Sequence, residues 1–307
     1  MICTCTMNPS LDYYMEFEKP VQPDSVNRSQ LEYYEAGGKG INVSIVLNNL
    51  QIPTRACGFL GGFTRDFYIT LLQKYEYIQP NFTYIDGNTR INVKLTGQED
   101  ETDLNAAGPY ITSSDMENLM KKMERLDEGD YFVLAGNCPK YLSSDIHTML
   151  ENAVKDKVRV CLDTNAEIIR DVLADGPFLI KRSQAELEAE LGRKLSPEET
   201  AAEAEAMCRQ GAQHVLVLMD SAKEALLACS QGLFACEVVH QEKAVSTVGT
   251  GDSLTAGFLM NYLRTGDPLD SFRFGACCGS ATAYSKGLAT REKIDSFYEK
   301  TEIRQLK

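Results

Sequence analysis

The stretch VSTVGTGDSLTAGFL, residues 245–259, passes from β-branched residues through Gly-Thr-Gly into a helical pattern, with Asp252 directly after the second of those glycines. Gly249 and Gly251 permit backbone angles that other residues avoid. Main-chain amides exposed by such a turn, with Thr250 between them and the free amides of the following helix behind, form an anion site. An acid in a first helical turn is ordinary, because the helix dipole favours it. Beside a bound phosphate it is electrostatically awkward, unless it takes a proton from a hydroxyl that attacks that phosphate. A glycine turn ahead of an acidic helix start is the plainer reading of the bare pattern, so the rest of the chain has to decide. The pattern is not a Walker A loop, since no G-x-x-x-x-G-K-[ST] occurs.

A second glycine turn, EAGGKGINVS at residues 35–44, also precedes a helical pattern, with Ile41, Ile45, Val46 and Leu50 on one stripe. It too can hold an anion or a hydroxyl, and Asn42 falls in the first turn of that helix. After Pro109 the chain alternates helical segments with short apolar strands such as DYFVLAG, RVCLDTN, PFLIKRS and HVLVLM. That rhythm predicts a parallel sheet with crossover helices. One-sided, alternating strands cluster in residues 12–35 and 88–108 and predict a separate β-layer, a lid. No linker or repeat divides the chain, so residues 1–307 are expected to form one unit.

Composition narrows the function. The chain has 307 residues, 43% hydrophobic and 24% charged, with a net charge of −13. Such an acidic chain is not expected to bind nucleic acid or an anionic membrane, although a locally basic site for a small anion remains open. Ten scattered cysteines without a C-x-x-C, and no secretory pattern at MICTCTMNPSLD, predict reduced thiols and a cytoplasmic protein. Three distant histidines argue against zinc, and no apolar run reaches the roughly 18 residues of a membrane helix.

Taken in order, NPSLD, GGKGINV, TRINVK, LNAAGP and VGTGDS resemble the ribokinase-like (PfkB) sugar kinases over nearly the whole chain. Within them the chain is most similar to the branch of 1-phosphofructokinase and tagatose-6-phosphate kinase. The resemblance implies a three-layer α/β/α fold with a mostly parallel central sheet and a small β-sheet lid. It implies transfer of the ATP γ-phosphoryl group, with Mg²⁺, to a sugar-phosphate hydroxyl; fructose 1-phosphate is the favoured acceptor and tagatose 6-phosphate the next. Asp252 matches the catalytic base, and Gly249, Thr250 and Gly251 the anion hole. Asp12, Gly37, Gly38 and Asn42 match sugar contacts. Lys39, Arg28, Arg90 and Asn137 are candidates for the acceptor's own phosphate, with Asn92 beside Arg90; arginine suits phosphate because its planar fork bonds bidentately. Lys181, Ser183, Glu186, Ser221 and Gly279 match nucleotide contacts, and Glu186 is also the candidate that organises Mg²⁺ through water. Exposed lid aromatics Tyr13, Tyr33 and Tyr34 suit a homodimer formed through the lid.

Three departures stand out. GNCPKY at 136–141 replaces G-S-L-P-P-G, with Asn137 for serine and Tyr141 for the last glycine. KRSQAE at 181–186 replaces K-P-N-x-x-E. The strand expected to end S-L-G-x-x-G reads VLVLMDSAKEALL, with no glycine from Leu218 to Ala225. Altered nucleotide binding, or a sugar-phosphate-binding protein without activity, therefore stays open, as does a kinase for a neutral sugar.

Overall fold

The computed structural model describes residues 1–97, 101–219, 224–238 and 244–306. The N-terminal part runs β1 (Ile2–Thr6), β2 (Ser10–Glu16), β3 (Leu31–Gly37), α1 (Lys39–Asn49), β4 (Thr54–Gly61), α2 (Gly62–Leu72), β5 (Ile78–Pro80), β6 (Thr83–Ile85), β7 (Arg90–Thr96) and β8 (Glu101–Leu104). Helix and strand then alternate: α3 (Ser113–Met123), β9 (Tyr131–Ala135), α4 (Ser143–Lys155), β10 (Arg159–Asp163), α5 (Ala166–Val172), β11 (Leu179–Ser183), α6 (Gln184–Leu191), α7 (Pro197–Gln210) and β12 (His214–Leu218). The chain closes with β13 (Glu224–Cys229), β14 (Gly232–Val238), α8 (Thr250–Thr265), α9 (Pro268–Ala283), α10 (Arg291–Tyr298) and β15 (Thr301–Gln305).

The large sheet has the order β15-β14-β13-β12-β11-β10-β9-β1-β4-β5, with β6 also on β4. Pairing is parallel from β12 through β5. It is antiparallel from β12 to β15. That antiparallel edge was not legible as three strands. The expected strand HVLVLM is β12, and β13 pairs with it antiparallel within the stretch VLVLMDSAKEALL.

Alternating side chains of the central strands bury into two apolar layers, as a sheet covered on both faces requires. Cys3, Cys5, Phe132, Leu134, Val160 and Leu162 face α3 to α7. Ile2, Tyr131, Val133, Ala135 and Cys161 face α1, α8, α9 and α10. The result is the three-layer α/β/α arrangement. Helix α1 differs from the single stripe expected of it. Val43, Val46 and Leu47 join the core beneath α8, whereas Ile41 and Ile45 join a third cluster with Tyr68 and Leu72 of α2. Its buried residues lie on more than one side, Ser44 among them, because the helix packs between several neighbours.

The smaller sheet has the order β3-β2-β7-β8 and coincides with the two one-sided segments. Its register sets Asp12 opposite both Asn92 and Glu35. Since side chains alternate across a strand, Asp12 and Asn92 share one face.

Helices α8 and α9 pack backbone against backbone. A Cβ at Gly257 would lie 2.6 Å from Cys278 Sγ and 2.9 Å from Gly275 Cα. This close approach accounts for the run of small residues around Cys277-Cys278. Gly257→Ala should force the two helices apart and lower the unfolding free energy by about 1–3 kcal/mol, read as a lower midpoint in urea denaturation at unchanged slope.

Candidate active site

In open α/β sheets, ligands bind outside the carboxyl ends of the strands. Here Gly136 follows β9, Asp163 ends β10 and Ser183 ends β11, all at one edge. The N-terminus of α1 seats on the end of β1: a Cβ at Gly38, whose φ is 133°, would lie 2.6 Å from Thr6 Cγ2. The N-terminus of α8 faces it, and Asn42 Nδ2 donates to Asp252 Oδ2 at 2.8 Å.

Gly249 caps α8 in the left-handed conformation, φ 76°, and no side chain caps that helix. A Cβ at Gly249 would meet Leu288 Cδ2 at 2.5 Å. A Cβ at Gly251 would lie 2.6 Å from both Cε and Nζ of Lys181. Glycine is favoured at 249 by φ, at 251 the end of the Lys181 side chain occupies the space a Cβ would take, and the head of α8 is left open.

Asp252 is 4% exposed. Burial, then the Asp163 carboxylate, raise its pKa to about 6, against the pull of Lys39, Lys181 and Asn42. Asp163, 3% exposed, sits between two ammonium groups: Lys39 Nζ at 3.1 Å and Lys181 Nζ at 3.3 Å. Burial alone would raise Asp163, but the two lysines hold it below the usual carboxylate range. Lys39 also reaches Glu186 Oε1 at 3.3 Å. Burial works against its charge, yet Asp163, Glu186 and Asp252 together raise its pKa above the ordinary value. Glu186 resists the upward push of burial in the same way and is lowered by Lys181 and Lys39.

Lys39, Asn137, Asp163 and Glu186 line one cavity of about 550 Å³. The smaller sheet contributes a separate group. Asp12 accepts from Ser10 Oγ at 2.7 Å and Asn92 Nδ2 at 3.0 Å. Burial raises its pKa, and those two bonds, Lys94 and Arg90 oppose the rise. Gly37 lies against it; a Cβ there would be 2.3 Å from Asp12 Oδ2. Arg90 spends its Nη groups on the carbonyls of Ala106 and Asn8, both at 3.1 Å, and its buried Nε has no partner among the described residues. Arg28 is exposed in the loop between β2 and β3. Gly279 lines a small recess with Leu218, Glu224, Ala225, Leu254 and Ser280. Ser221, like Asp220 and Lys223, lies outside the described residues.

Both substitutions in KRSQAE have structural explanations. Ser183 and Glu186 form a capping box on α6: Ser183 Oγ accepts from Glu186 N, and Glu186 Oε2 accepts from Ser183 N. The S-x-x-E spacing of SQAE was the readable signal for it. Arg182, standing for proline, is 4% exposed and donates to Thr164 O at 3.0 Å and Glu190 Oε2 at 3.1 Å. Asp163 was not singled out from the sequence. Its signal was available in RVCLDTN, an acid closing an apolar parallel strand at the edge where ligands bind.

Comparison with known proteins fits this arrangement. Residues 6–294 match the model of the pfkB family carbohydrate kinases, and the chain belongs to that family. It is a phosphotransferase with an alcohol acceptor. Over the whole of both chains it is 37% identical to the 1-phosphofructokinase of Bacillus subtilis and 31% identical to the D-tagatose-1-phosphate kinase of Bacillus licheniformis. A phosphofructokinase structure from Staphylococcus aureus superposes with a TM-score of 0.86 at 33% identity, covering 100% of this chain and 99% of that one.

Because the pKa of Asp252 is raised to about 6, a reaction that needs its carboxylate should lose kcat/KM as pH falls through about 6 and keep it above. Asp163→Asn removes a negative charge that raises Asp252, so the acid limb should move to lower pH. A limb that stays in place in this variant would show that another group titrates there.

Proposed function

We propose that this chain transfers the γ-phosphoryl group of ATP to the 6-hydroxyl of fructose 1-phosphate. The observation that carries the reading is the buried Asp252 carboxylate, with its raised pKa, at the uncapped head of α8 beside two lysines. Asp252 takes the hydroxyl proton as O6 bonds to the γ-phosphorus. The bond to the β–γ bridging oxygen breaks, and ADP leaves. The amides of Gly249, Thr250 and Gly251 receive the charge on the transferring group. Asn42 orients Asp252, and Lys39 and Lys181 face the phosphates from the Asp163 side.

Asp12, Asn92, Gly37 and Gly38 hold sugar hydroxyls, while Arg90 and Asn137 take the acceptor's phosphate. Arg28 would join them from the loop between β2 and β3. Ser183, Ser221 and Gly279 belong to the nucleotide side. The chain works as one unit, residues 1–307, with the smaller sheet as a lid that excludes water, so that ATP is not simply hydrolysed. The lid's outer aromatics suit a homodimer, and the cytoplasm is the expected compartment.

The donor set fits Mg²⁺ held through water. Glu186 is partly exposed to the cavity, but both its oxygens already have partners, Lys39 and the Ser183 amide. No cluster of three or more metal-ligating side chains is found among the described residues. Glu186 would therefore orient a hydrated ion, which would supply positive charge against the negative charge of the transferring phosphoryl group.

A second acceptor, D-tagatose 1-phosphate, is favoured over tagatose 6-phosphate. A relative is named for it. It also carries its phosphate where fructose 1-phosphate does and differs only in the configuration at C4. Asp252→Asn should lower kcat by about a hundred- to ten-thousand-fold with little change in sugar-phosphate affinity, measured by coupled ADP release and by calorimetry. Near-normal turnover would remove Asp252 from the role of base.

A further inference from the structure

Tyr141 stands where the family loop carries its last glycine, and the fold gives it a specific contact. It lies in a 3-10 turn, Lys140–Leu142, just past Asn137. Its hydroxyl accepts the Ile111 N–H at 2.9 Å. Its ring stacks on Tyr110, with centroids 4.7 Å apart and planes at 15°. The two rings are 69% and 51% exposed for Tyr110 and Tyr141. Core burial therefore does not explain the pair; what it joins does.

Tyr110 belongs to the irregular segment between β8 and α3, which leads from the smaller sheet back to the larger one. That segment is wired to the group around Asp12. Ala106 O accepts from Arg90 Nη1 at 3.1 Å, and Ala106 N donates to Asn92 Oδ1 at 3.2 Å. Asn8 Nδ2 donates to Ala107 O at 2.8 Å. Gly108, φ 92°, leaves no room for a side chain: a Cβ would be 2.3 Å from Asn8 Oδ1. The loop that leads to Tyr141 is anchored separately, on the end of β10 and just past it. Gly136 N donates to Asp163 O at 2.9 Å, and Cys138 N to Asn165 Oδ1 at 2.7 Å. The stack is thus a side-chain bridge between the segment that holds Arg90 and the loop that carries Asn137.

We propose that the Tyr110–Tyr141 stack is a positioning clasp for the phosphate of the acceptor, setting Arg90 and Asn137 at the separation a sugar phosphomonoester needs. The proposal rests on the reading that a sugar phosphate is the acceptor. Neither tyrosine touches substrate; both act through the segments they join. Loosening the bridge leaves Asp252 and the α8 amides in place, so binding of the sugar phosphate should suffer while phosphoryl transfer does not.

The test is steady-state kinetics on the full chain with fructose 1-phosphate, comparing Tyr141→Gly, Tyr141→Phe and Tyr110→Leu with the unaltered protein. Tyr141→Gly and Tyr110→Leu should raise KM for the sugar phosphate about tenfold, with kcat and KM for ATP within about twofold, the pattern of lost uniform binding. Tyr141→Phe keeps the stack and loses only the hydroxyl contact, so its KM should recover most of the way. If Tyr141→Gly fails to fold, Tyr110→Leu, at a more exposed position, decides. An unchanged sugar-phosphate KM in a folded Tyr110→Leu, or an equal fall in kcat at unchanged KM, would overturn the clasp. Failure of the unaltered chain to release ADP with fructose 1-phosphate would overturn the acceptor reading alone. The clasp would then stand or fall on the same KM split with whichever phosphorylated sugar is accepted.

Discussion

A carboxylate held out of water between two ammonium groups is the constraint on which the rest of the site depends. Asp163 ends the central strand β10, Lys181 lies in β11, and Lys39 opens α1. Burying such charges is costly, and removing Asp163 would strand the buried Lys181 at a cost of about 3–5 kcal/mol. The cluster therefore fixes where α1 begins relative to the sheet. It also fixes the field felt by Asp252, the one carboxylate of the group pushed upward rather than down. Two acids of one buried cluster, Asp163 and Asp252, are driven to opposite protonation behaviour by their neighbours. That separation is what a proton acceptor poised below neutrality requires.

The glycines are the geometric counterpart of that electrostatic arrangement. Gly251 leaves space for the Lys181 side chain, Gly249 supplies a left-handed cap, and Gly37 and Gly38 let the second turn lie against Asp12 and Thr6. Each position is set by something that approaches it. The glycine motifs and the lysine-carboxylate cluster are adjacent, since a Cβ at 251 would meet the end of the Lys181 side chain that reaches Asp163.

Much of this was legible in the chain. The alternation of helix and apolar strand after Pro109 gave the parallel sheet, and the one-sided segments gave the smaller sheet, because each period follows directly from which faces are buried. The glycine turns pointed to Asp252 and Asn42, which meet across 210 positions of sequence. What the sequence hid has physical reasons. The antiparallel edge was obscured because the helix-strand alternation ends at HVLVLM, and the short strands after it carry no crossover helix to mark them. Asp163 was passed over because a lone acid at a strand end becomes distinctive only when long-range packing brings two lysines to it. Ser183 and Glu186 carry a helix cap as well as a motif, and a pattern cannot show that one pair of residues does both. Tyr141 was visible only as a missing glycine, because its partners, Tyr110 and Ile111, come from a segment 30 residues earlier.

The most direct measurement is a crystal structure of the full chain with fructose 1-phosphate and a non-hydrolysable ATP analogue. The account predicts the sugar's 6-hydroxyl within about 2.6–3.2 Å of an Asp252 carboxylate oxygen, the γ-phosphate against the amides of Gly249 to Gly251, and the acceptor's phosphate beside Arg90 and Asn137. A sugar bound with that hydroxyl turned away from Asp252, or a γ-phosphate seated elsewhere than at the head of α8, would contradict it.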